Sequence, residues 1–141
     1  MSEALRARLV TLYAALRLGQ FDFVLNALAD DIEFISYSPI EVFPCFGHRR
    51  GKAAMAEVMR QAHREFEFVS CEPILMVLGA DCVAVILFIR VVHRMTGRSV
   101  QQAMAHFIRL RDDKIVELRQ FMDSFDAAEQ VLGRKLLGST E

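Results

Sequence analysis

The chain has few of the residues that small or exported proteins use for covalent or metal cross-links. Its 141 residues include three cysteines, three prolines and no tryptophan. Cys45, Cys71 and Cys82 are odd in number, widely spaced and without a C-x-x-C pair, so they predict neither a disulfide framework nor a structural zinc site. The four histidines show no H-x-H or H-x-x-x-H spacing. We therefore expect no metal and no other cofactor.

A strong net charge and a long apolar run are also absent. The formal charge of −1 at pH 7 gives no attraction to nucleic acid or to an anionic membrane, so neither is a predicted partner. The longest apolar run, Cys82 to Ile89, is far shorter than the ~20 residues that span a bilayer. The N-terminus mixes charged residues among its apolar ones, unlike a signal peptide. These features predict a cytoplasmic protein whose partner is a small molecule or another protein chain.

Nucleotide and serine-hydrolase signatures are missing too. The sequence contains no G-x-G-x-x-G, no P-loop and no G-x-S-x-G, which removes the usual indications of dinucleotides, nucleotide phosphates and a serine nucleophile. The basic stretch "GHRRGK" has no aromatic or repeated accompaniment. It is more typical of a solvated loop before a helix than of a phosphate site.

The first half of the chain has the periodicity of helices. Leucines at spacings of three and four predict a helix from Ser2 to Leu18 that ends at Gly19. Asp22 is a candidate cap for a second helix, "FVLNALA", and "DIEFISYS" then alternates as a strand. A third helix is expected after Gly51, with an apolar face that extends to Phe66, and it should stop before Pro73.

The second half changes to the period of strands. The segments "PILMVLG", "CVAVILFIRVVHRM", "SVQQAMAHFIRL" and "KIVELRQFMD" are rich in β-branched and aromatic residues and are separated by short turn signals. A last helix, "DAAEQVLG", begins with capping-box spacing and finishes at Gly133. This order predicts an α+β fold, with helices over one face of a curved antiparallel sheet. We expect one domain over residues 1–133 and a flexible tail over 134–141.

The turn signals also predict which side chains share a face of the sheet. A two-residue turn at Asp112-Asp113 sets His106 opposite Arg119 and Gln102 opposite Asp123. Counting from Thr96-Gly97 extends the same face to the preceding strand. The predicted face comprises Leu87, Ile89, Gln102, Met104, His106, Arg119, Phe121 and Asp123. A β-bulge would shift every residue beyond it.

The two faces of this sheet differ in polarity. One is apolar with scattered polar groups, whereas the other is mostly apolar with arginines near its ends. A strand such as "VAVILFI" is apolar on both faces, which indicates that both faces are covered. We assign the polar-dotted face to a cavity beneath the helices and the other face to a homodimer interface. The reverse assignment is the alternative.

Several stretches of the sequence resemble those of a known family. The stretches "LYAALRLGQFDFVLNALADDIEF", "GHRRGKAAM", "TGRSV" and "DDKIVELRQFMD" are similar to the NTF2-like α+β cone, and within it to the SnoaL-like polyketide cyclases. The similarity runs from about Leu9 to Gly133. It is a spaced pattern rather than a catalytic signature, so it implies a fold more strongly than a reaction.

The resemblance implies roles for particular residues. Asp123 matches the acidic residue that acts as acid/base in the polyketide cyclases, and Tyr13 matches a tyrosine that donates to the oxyanion in related ketosteroid isomerases. Tyr37 stands where those isomerases carry their aspartate base, which disfavours their mechanism. Arg90 and Val92 stand where epoxide-hydrolase relatives have an Arg-x-Asp arrangement, which disfavours hydrolysis by that triad.

Each site residue has a structural alternative. Asp123 on an apolar wall would have a raised pKa suited to proton transfer, or it caps the final helix. His106 contacts a ligand, or it is a core imidazole bonded to Arg119 or Tyr13. Gln102 binds a ligand oxygen or lies at the surface. Tyr13 and Tyr37 line the cavity or pack in the core with their hydroxyls at its rim.

Three functions are compatible with this pattern. The first is a cofactor-independent enzyme of polyketide-cyclase type that acts on a hydrophobic, oxygenated small molecule, with Asp123 and His106 as catalytic residues. The predicted ligand contacts are Tyr13, Tyr37, Leu87, Ile89, Gln102, Met104, Arg119 and Phe121. The second is a non-catalytic module that binds a small apolar ligand or a protein segment. The third is dimerisation as the function itself.

Overall fold

A computed structural model describes residues 2–138, which contain four helices and six strands. The helices are α1 (Ser2–Arg17), α2 (Phe21–Asn26), α3 (Lys52–Glu65) and α4 (Ser124–Leu132). The strands are β1 (Leu28–Ser36), β2 (His48–Arg50), β3 (Phe66–Leu78), β4 (Cys82–His93), β5 (Ser99–Arg111) and β6 (Lys114–Met122). No helix within residues 2–138 has the length and apolar character needed to cross a membrane.

The strands form one sheet in the order β2-β1-β6-β5-β4-β3. The α+β prediction is confirmed, but the sheet is mixed rather than wholly antiparallel, because β1 pairs with β6 in parallel. The other neighbours are antiparallel. The chain between β1 and β6 is long, and a parallel pair needs such a crossover connection.

Helices cover one side of the sheet, which we call the inner face. Leu9 and Leu12 of α1 and Met55 of α3 are buried in the same cluster as Val85 and Leu87 of β4. Burial of this apolar area is the main favourable contribution to folding. The face that the sequence predicts to lie beneath the helices is therefore the inner face for β4 and β5.

The end of α1 follows the sequence prediction closely. Gly19 has a φ of +76°, the left-handed region that favours glycine. The amide of Gln20 donates to the Ala15 carbonyl at 2.9 Å, and the Gly19 amide donates to the Leu16 carbonyl at 3.2 Å. This Schellman pattern satisfies carbonyls that the last helical turn leaves free.

Several element boundaries differ from the prediction. The second helix spans Phe21–Asn26 and its N-cap is Gln20, so Asp22 lies inside the first turn instead of capping it. The "GHRRGK" stretch contains the short strand β2 and is not a loop throughout. The strand β3 begins at Phe66 and continues through Pro73. A proline fits there because β3 is an edge strand of the sheet.

The β5–β6 hairpin has the predicted turn but a different register. Asp112 and Asp113 have φ values of +51° and +64°, as a two-residue turn between twisted strands requires. Arg111 pairs with Lys114 and Leu110 with Ile115, but Arg109 then pairs with Glu117. Val116 is therefore an extra residue, a β-bulge in β6. Every later residue of β6 faces the side opposite to the predicted one.

The bulge reverses the predicted faces of β6, both for the residues predicted to face inward and for those predicted to face outward. His106 pairs with Gln120 instead of Arg119, and Met104 pairs with Met122 instead of Phe121. The inner face of β6 therefore carries Leu118, Gln120 and Met122, which strict alternation from the turn would place on the opposite side. The β4–β5 pairing also differs from a count from Thr96-Gly97, since that count sets Val91 opposite Gln102 and the structure has Ile89 there. The observed β4–β5 register differs from the predicted one by two residues, so the same side chains of these strands still share each face.

Asp123 is the N-cap of helix α4, which begins at Ser124 and not at the predicted Asp126. The Asp123 carboxylate accepts a hydrogen bond from the Asp126 amide at 3.1 Å, and the side chain is exposed. The helix ends as predicted at Gly133, which has a φ of +70°. In the predicted tail, the Leu136 amide donates to the Glu129 carboxylate at 2.8 Å. Residues 139–141 of the same tail lie outside the described residues.

We predict that Asp123 contributes to stability as a helix cap. Asp123→Ala should lower the free energy of unfolding by about 0.5–2 kcal/mol, because the Asp126 amide loses its acceptor. Asp123→Asn keeps an acceptor oxygen and should stay close to the wild type. Urea denaturation of the three proteins measures the difference, and equal losses in both variants would contradict the capping role.

Candidate functional site

A cavity of about 150 Å³ lies between the inner face of the sheet and the helices. We call it the main cavity. No Asp, Glu, Lys or Arg side chain among the described residues lines it. Its lining consists of Leu9, Leu12, Tyr13, Leu16, Val24, Leu28, Phe34, Phe46, Met55, Val58, Met59, Ala62, Phe68, Cys71, Leu87, Ile89, Met104, His106, Ile108, Ile115, Leu118 and Gln120.

His106 and Gln120, which line the main cavity, lie in one row across the sheet that continues to Ser36. His106 of β5 pairs with Gln120 of β6, and Gln120 pairs with Ser36 of β1. Residues paired in this way present their side chains next to each other on the same face. All three residues are buried, and Tyr13 of α1 meets the row from the helical side.

These residues form a continuous hydrogen-bonded set, which we call the polar network. The Tyr13 hydroxyl and His106 Nδ1 are 2.7 Å apart, and His106 Nε2 and Gln120 Oε1 are 2.9 Å apart. Gln120 Nε2 donates to Ser36 Oγ at 3.1 Å, and that hydroxyl lies 2.9 Å from Ser38 Oγ. The network therefore leads from a buried phenol to a half-buried serine in the loop after β1.

The charge state of His106 fixes the direction of these bonds. Burial lowers the pKa of His106 from 6.5 to about 4, against a smaller opposing effect of the Gln120 hydrogen bond. Gln120 Oε1 faces the imidazole and Gln120 Nε2 faces Ser36 Oγ. With the amide oriented in this way, Nε2 carries the one N–H of the neutral imidazole, because Gln120 Oε1 only accepts. Nδ1 is then the acceptor, and the Tyr13 hydroxyl donates to it. The Tyr13 oxygen keeps the capacity to accept a hydrogen bond.

The other titratable groups at the cavity are held neutral. Burial raises the pKa of the Tyr13 phenol above its usual range, with a smaller contribution from Cys71. Burial also raises the pKa of Cys71, in the cavity lining, to about 12. A thiol in this state is a poor nucleophile. No group of three or more His, Cys, Asp or Glu residues among residues 2–138 is arranged to hold a metal ion.

The predicted site residues separate into two groups. Those that line the main cavity are Tyr13, Leu87, Ile89, Met104 and His106. Gln102 is buried on the same face but lines a smaller neighbouring cavity. Arg119 and Phe121 do not line the main cavity, because the bulge at Val116 turns them to the opposite face, which we call the outer face.

Tyr37 also belongs to the outer side of the molecule. Its side chain is 52% exposed, and its ring stacks on Phe121 with centroids 4.8 Å apart. Its hydroxyl accepts a hydrogen bond from Arg119 Nη1 at 3.1 Å. The expectation that Tyr37 lines the cavity is therefore wrong.

Asp123 does not point into either cavity. Counting from the turn predicts Asp123 on the inner face opposite Gln102, but the bulge and the end of β6 at Met122 place it at the start of α4. Its carboxylate is exposed and bonded to a backbone amide. The catalytic role predicted for Asp123 thus loses the buried geometry on which it rested.

Sequence reasoning missed Gln120 and Ser36 as cavity-network residues. A signal for Gln120 exists in "KIVELRQFM", because Ile115 and Leu118 are apolar at a spacing of three, which strict alternation does not allow on one face. The adjacent apolar pair Ile115-Val116 marks where the phase changes. Ser36 has no comparable signal, since its position depends on pairing between strands far apart in the chain.

Comparison with known proteins agrees with this architecture. The profile of the SnoaL-like domain matches residues 9–118.

This chain belongs to the SnoaL-like family.

The SnoaL-like domain has several solved relatives. A proposed isomerase from Rhodopseudomonas palustris is 33% identical over 87% of this chain and 91% of its own, with a TM-score of 0.80. A proposed polyketide cyclase from Xanthomonas campestris pv. campestris is 18% identical over 89% and 95% of the two chains, with a TM-score of 0.77. An LEH-like epoxide hydrolase from M. tuberculosis is 21% identical over 94% and 92%, with a TM-score of 0.74.

The likeness to the last two structures concerns the fold alone. No curated protein matches this SnoaL-like domain. The predicted NTF2-like α+β fold and its SnoaL-like branch are confirmed by the profile and by these neighbours. The chemistry of the site must therefore be argued from its own residues.

We predict that the buried neutral His106 makes stability fall in mild acid. Its pKa is lowered from 6.5 to about 4 in the folded protein, so below pH 6.5 the unfolded chain binds a proton that the folded chain resists. The stability contribution should decline as the pH falls from 6.5 to 4, by roughly 3 kcal/mol in all. Urea denaturation at several pH values measures this slope.

His106→Asn is the matched control for this prediction. It removes the titrating group, so its free energy of unfolding should depend less on pH in that interval than the wild type's. His63, whose pKa is also lowered by burial, remains in both proteins and cancels in the difference. Parallel curves for the two proteins would contradict a buried neutral His106.

Proposed function

We propose that this SnoaL-like domain binds a largely apolar small molecule in the main cavity, with a hydroxyl group of the ligand donating to the Tyr13 oxygen. The observation that carries this proposal is the direction of the polar network. Tyr13 gives its only proton to His106 Nδ1, 2.7 Å away, so what it offers to a ligand is an acceptor.

The size and lining of the main cavity support the same class of ligand. A cavity of about 150 Å³ is the size at which an apolar protein cavity accepts benzene. Met55, Met59 and Met104 lie in its wall, and methionine side chains adapt to ligands of different shape. A single ring with short substituents fits this space, and a molecule of several rings requires these side chains to move.

Acid–base catalysis of isomerase or cyclase type on the same ligand is the second candidate. It is favoured by the 33% identity to a proposed isomerase. Without a carboxylate in the lining, proton transfer would pass through Tyr13 and His106. An imidazole with a pKa of about 4 is a weak base, and Tyr13 can polarise a carbonyl only by leaving Nδ1. Binding is therefore the better supported function.

We predict that Tyr13 distinguishes a hydroxyl from a methyl group. The probes are 4-methylphenol and 1,4-dimethylbenzene, which have nearly the same shape. Tyr13→Phe should lower the preference for 4-methylphenol over 1,4-dimethylbenzene by about threefold to tenfold, because one hydrogen bond is lost. Dissociation constants from NMR titration of the wild type and the variant give this ratio.

Leu87→Met is a control for general effects on the cavity, since it changes the wall without changing a polar group. It should leave the hydroxyl preference unchanged. Failure of both probes to bind the folded wild-type protein would contradict the binding function. A preference that survives in Tyr13→Phe would show that the hydroxyl goes elsewhere.

The outer face supports a second proposal, that two copies associate through it. Leu75, Ile86, Ala105 and Phe121 lie side by side across β3, β4, β5 and β6, and Phe107 is 45% exposed beside them. A contiguous exposed apolar band of this kind is typical of an interface. A second copy is the natural cover, because a twofold axis brings the same apolar band onto itself.

We predict that Phe107→Arg converts a dimer into a monomer. The buried charge would be unpaired in the interface, which costs several kcal/mol at least. Met95→Arg, at a side chain that is 90% exposed in the β4–β5 turn, is the control and should remain dimeric. Sedimentation velocity at micromolar concentration measures the mass, and a monomeric wild type would refute the proposal.

A further inference from the structure

A second, smaller cavity lies on the inner face beside the main one. This side cavity has a volume of about 60 Å³. Its lining comprises Phe43, Cys45, Phe46, Ala62, Phe66, Phe68, Ile89, Val91, Val100, Gln102, Met104, Met122 and Ala127. Five of these side chains also line the main cavity: Phe46, Ala62, Phe68, Ile89 and Met104. The two cavities are therefore separated by side chains and not by backbone.

Gln102 is the polar residue of the side cavity, and one of its atoms has no partner. The residue is 8% exposed, and Gln102 Oε1 is the buried side-chain oxygen or nitrogen within residues 2–138 that lacks a hydrogen bond. A buried acceptor without a donor is unfavourable, and such groups are rare in folded proteins. An unpaired oxygen on a residue that lines an apolar cavity indicates that a donor belongs beside it.

The orientation of the Gln102 amide is fixed by its other end. Gln102 Nε2 donates to the Asp123 carbonyl at 2.8 Å and to Asp126 Oδ2 at 3.2 Å. Both partners accept and cannot donate, so turning the amide over would bring three oxygens together. Gln102 Oε1 is thus held away from α4 as a fixed acceptor.

Gln102 and His106, the hydrogen-bond partner of Tyr13, lie on the same strand of the sheet. Gln102 and His106 are four residues apart on the inner face of β5, a separation of ~13 Å at the usual rise of a strand. Met104, which lies between them, is a wall of both cavities. A methionine can change rotamer at small cost and let a ligand pass.

We propose that the side cavity is a second subsite for the ligand of the main cavity, in which Gln102 Oε1 accepts a hydrogen bond from a hydroxyl or N–H group at the ligand's far end. This inference rests on the proposed binding function. It identifies the ligand class as elongated molecules with an apolar middle and a hydrogen-bond donor at each end, one for Tyr13 and one for Gln102.

A series of probes of increasing length tests the subsite. The probes are 4-(ω-hydroxyalkyl)phenols with chains of two to five carbons, each compared with the 4-alkylphenol in which a methyl group replaces the terminal hydroxyl. For the chain length that reaches the side cavity, Gln102→Met should weaken binding of the hydroxyl probe by about tenfold relative to its methyl-terminated counterpart. At shorter lengths the relative affinity of the two probes should not change.

A second variant covers the case in which Gln102→Met loses its contacts with α4 and does not fold. Ala127→Val adds two methyl groups beside the side cavity without touching a polar atom. It should weaken binding of the longest hydroxyalkylphenol at least fivefold and leave 4-methylphenol within twofold.

The outcomes separate the subsite from the function on which it rests. If the alkylphenols bind but Gln102→Met or Ala127→Val has no selective effect at any length, the side cavity holds water or nothing and the subsite is refuted alone. If no probe binds, 4-methylphenol included, the proposed function and the subsite are both refuted.

Discussion

The β-bulge at Val116 decides which chemistry reaches the interior of this protein. Without the extra residue, β6 would present Glu117, Arg119 and Phe121 to the helices, and the ion pair between Glu117 and Arg119 would be buried in an apolar cavity. Desolvation of two charged groups costs more than their attraction usually returns, so the bulged register, which leaves both at the surface, is preferred. The bulge places Leu118 and Gln120 inside instead. One inserted residue thus replaces a charge by a neutral amide opposite His106.

That neutral amide explains the electrostatic character of the site. Gln120 can accept from His106 Nε2 without favouring the protonated imidazole as strongly as a carboxylate would. Burial therefore dominates, and the pKa of His106 falls to about 4. Burial raises the pKa values of the Tyr13 phenol and the Cys71 thiol, which keeps these groups uncharged as well. The interior is a set of neutral, oriented dipoles, which suits recognition of a neutral ligand better than storage of a proton.

The sequence predicts the elements and their order because hydrophobic period and turn residues act locally. The left-handed glycine after α1 and the two-residue turn at Asp112-Asp113 are both correct, since each depends on a few neighbouring residues. The predicted faces of β4 and β5 are correct too, because an error of two residues in the register leaves the alternation of side chains unchanged. The face of β6 is wrong, because an error of one residue reverses it.

The candidate site also divides into residues placed by local pattern and residues whose position depends on distant pairing. Local pattern places His106 and the apolar cavity residues of β4 and β5, and the family resemblance places Tyr13. The position of Asp123 depends on how β6 ends, and the partner of His106 depends on the bulge, so neither could be obtained by counting from a turn. The parallel pairing of β1 with β6 brings Ser36 to the network. It joins segments more than eighty residues apart, for which the sequence offers no register signal.

The two borders of the sheet limit how copies of this chain can associate. One border is β2, three residues long, and the other is β3, where Pro73 lacks the amide that a further strand would need. Open-ended growth by strand addition, the route to fibrils, is therefore obstructed at both borders. Contact between broad sheet surfaces is not obstructed, and around a twofold axis it ends once a pair has formed. The chain can thus keep a large apolar surface without polymerising.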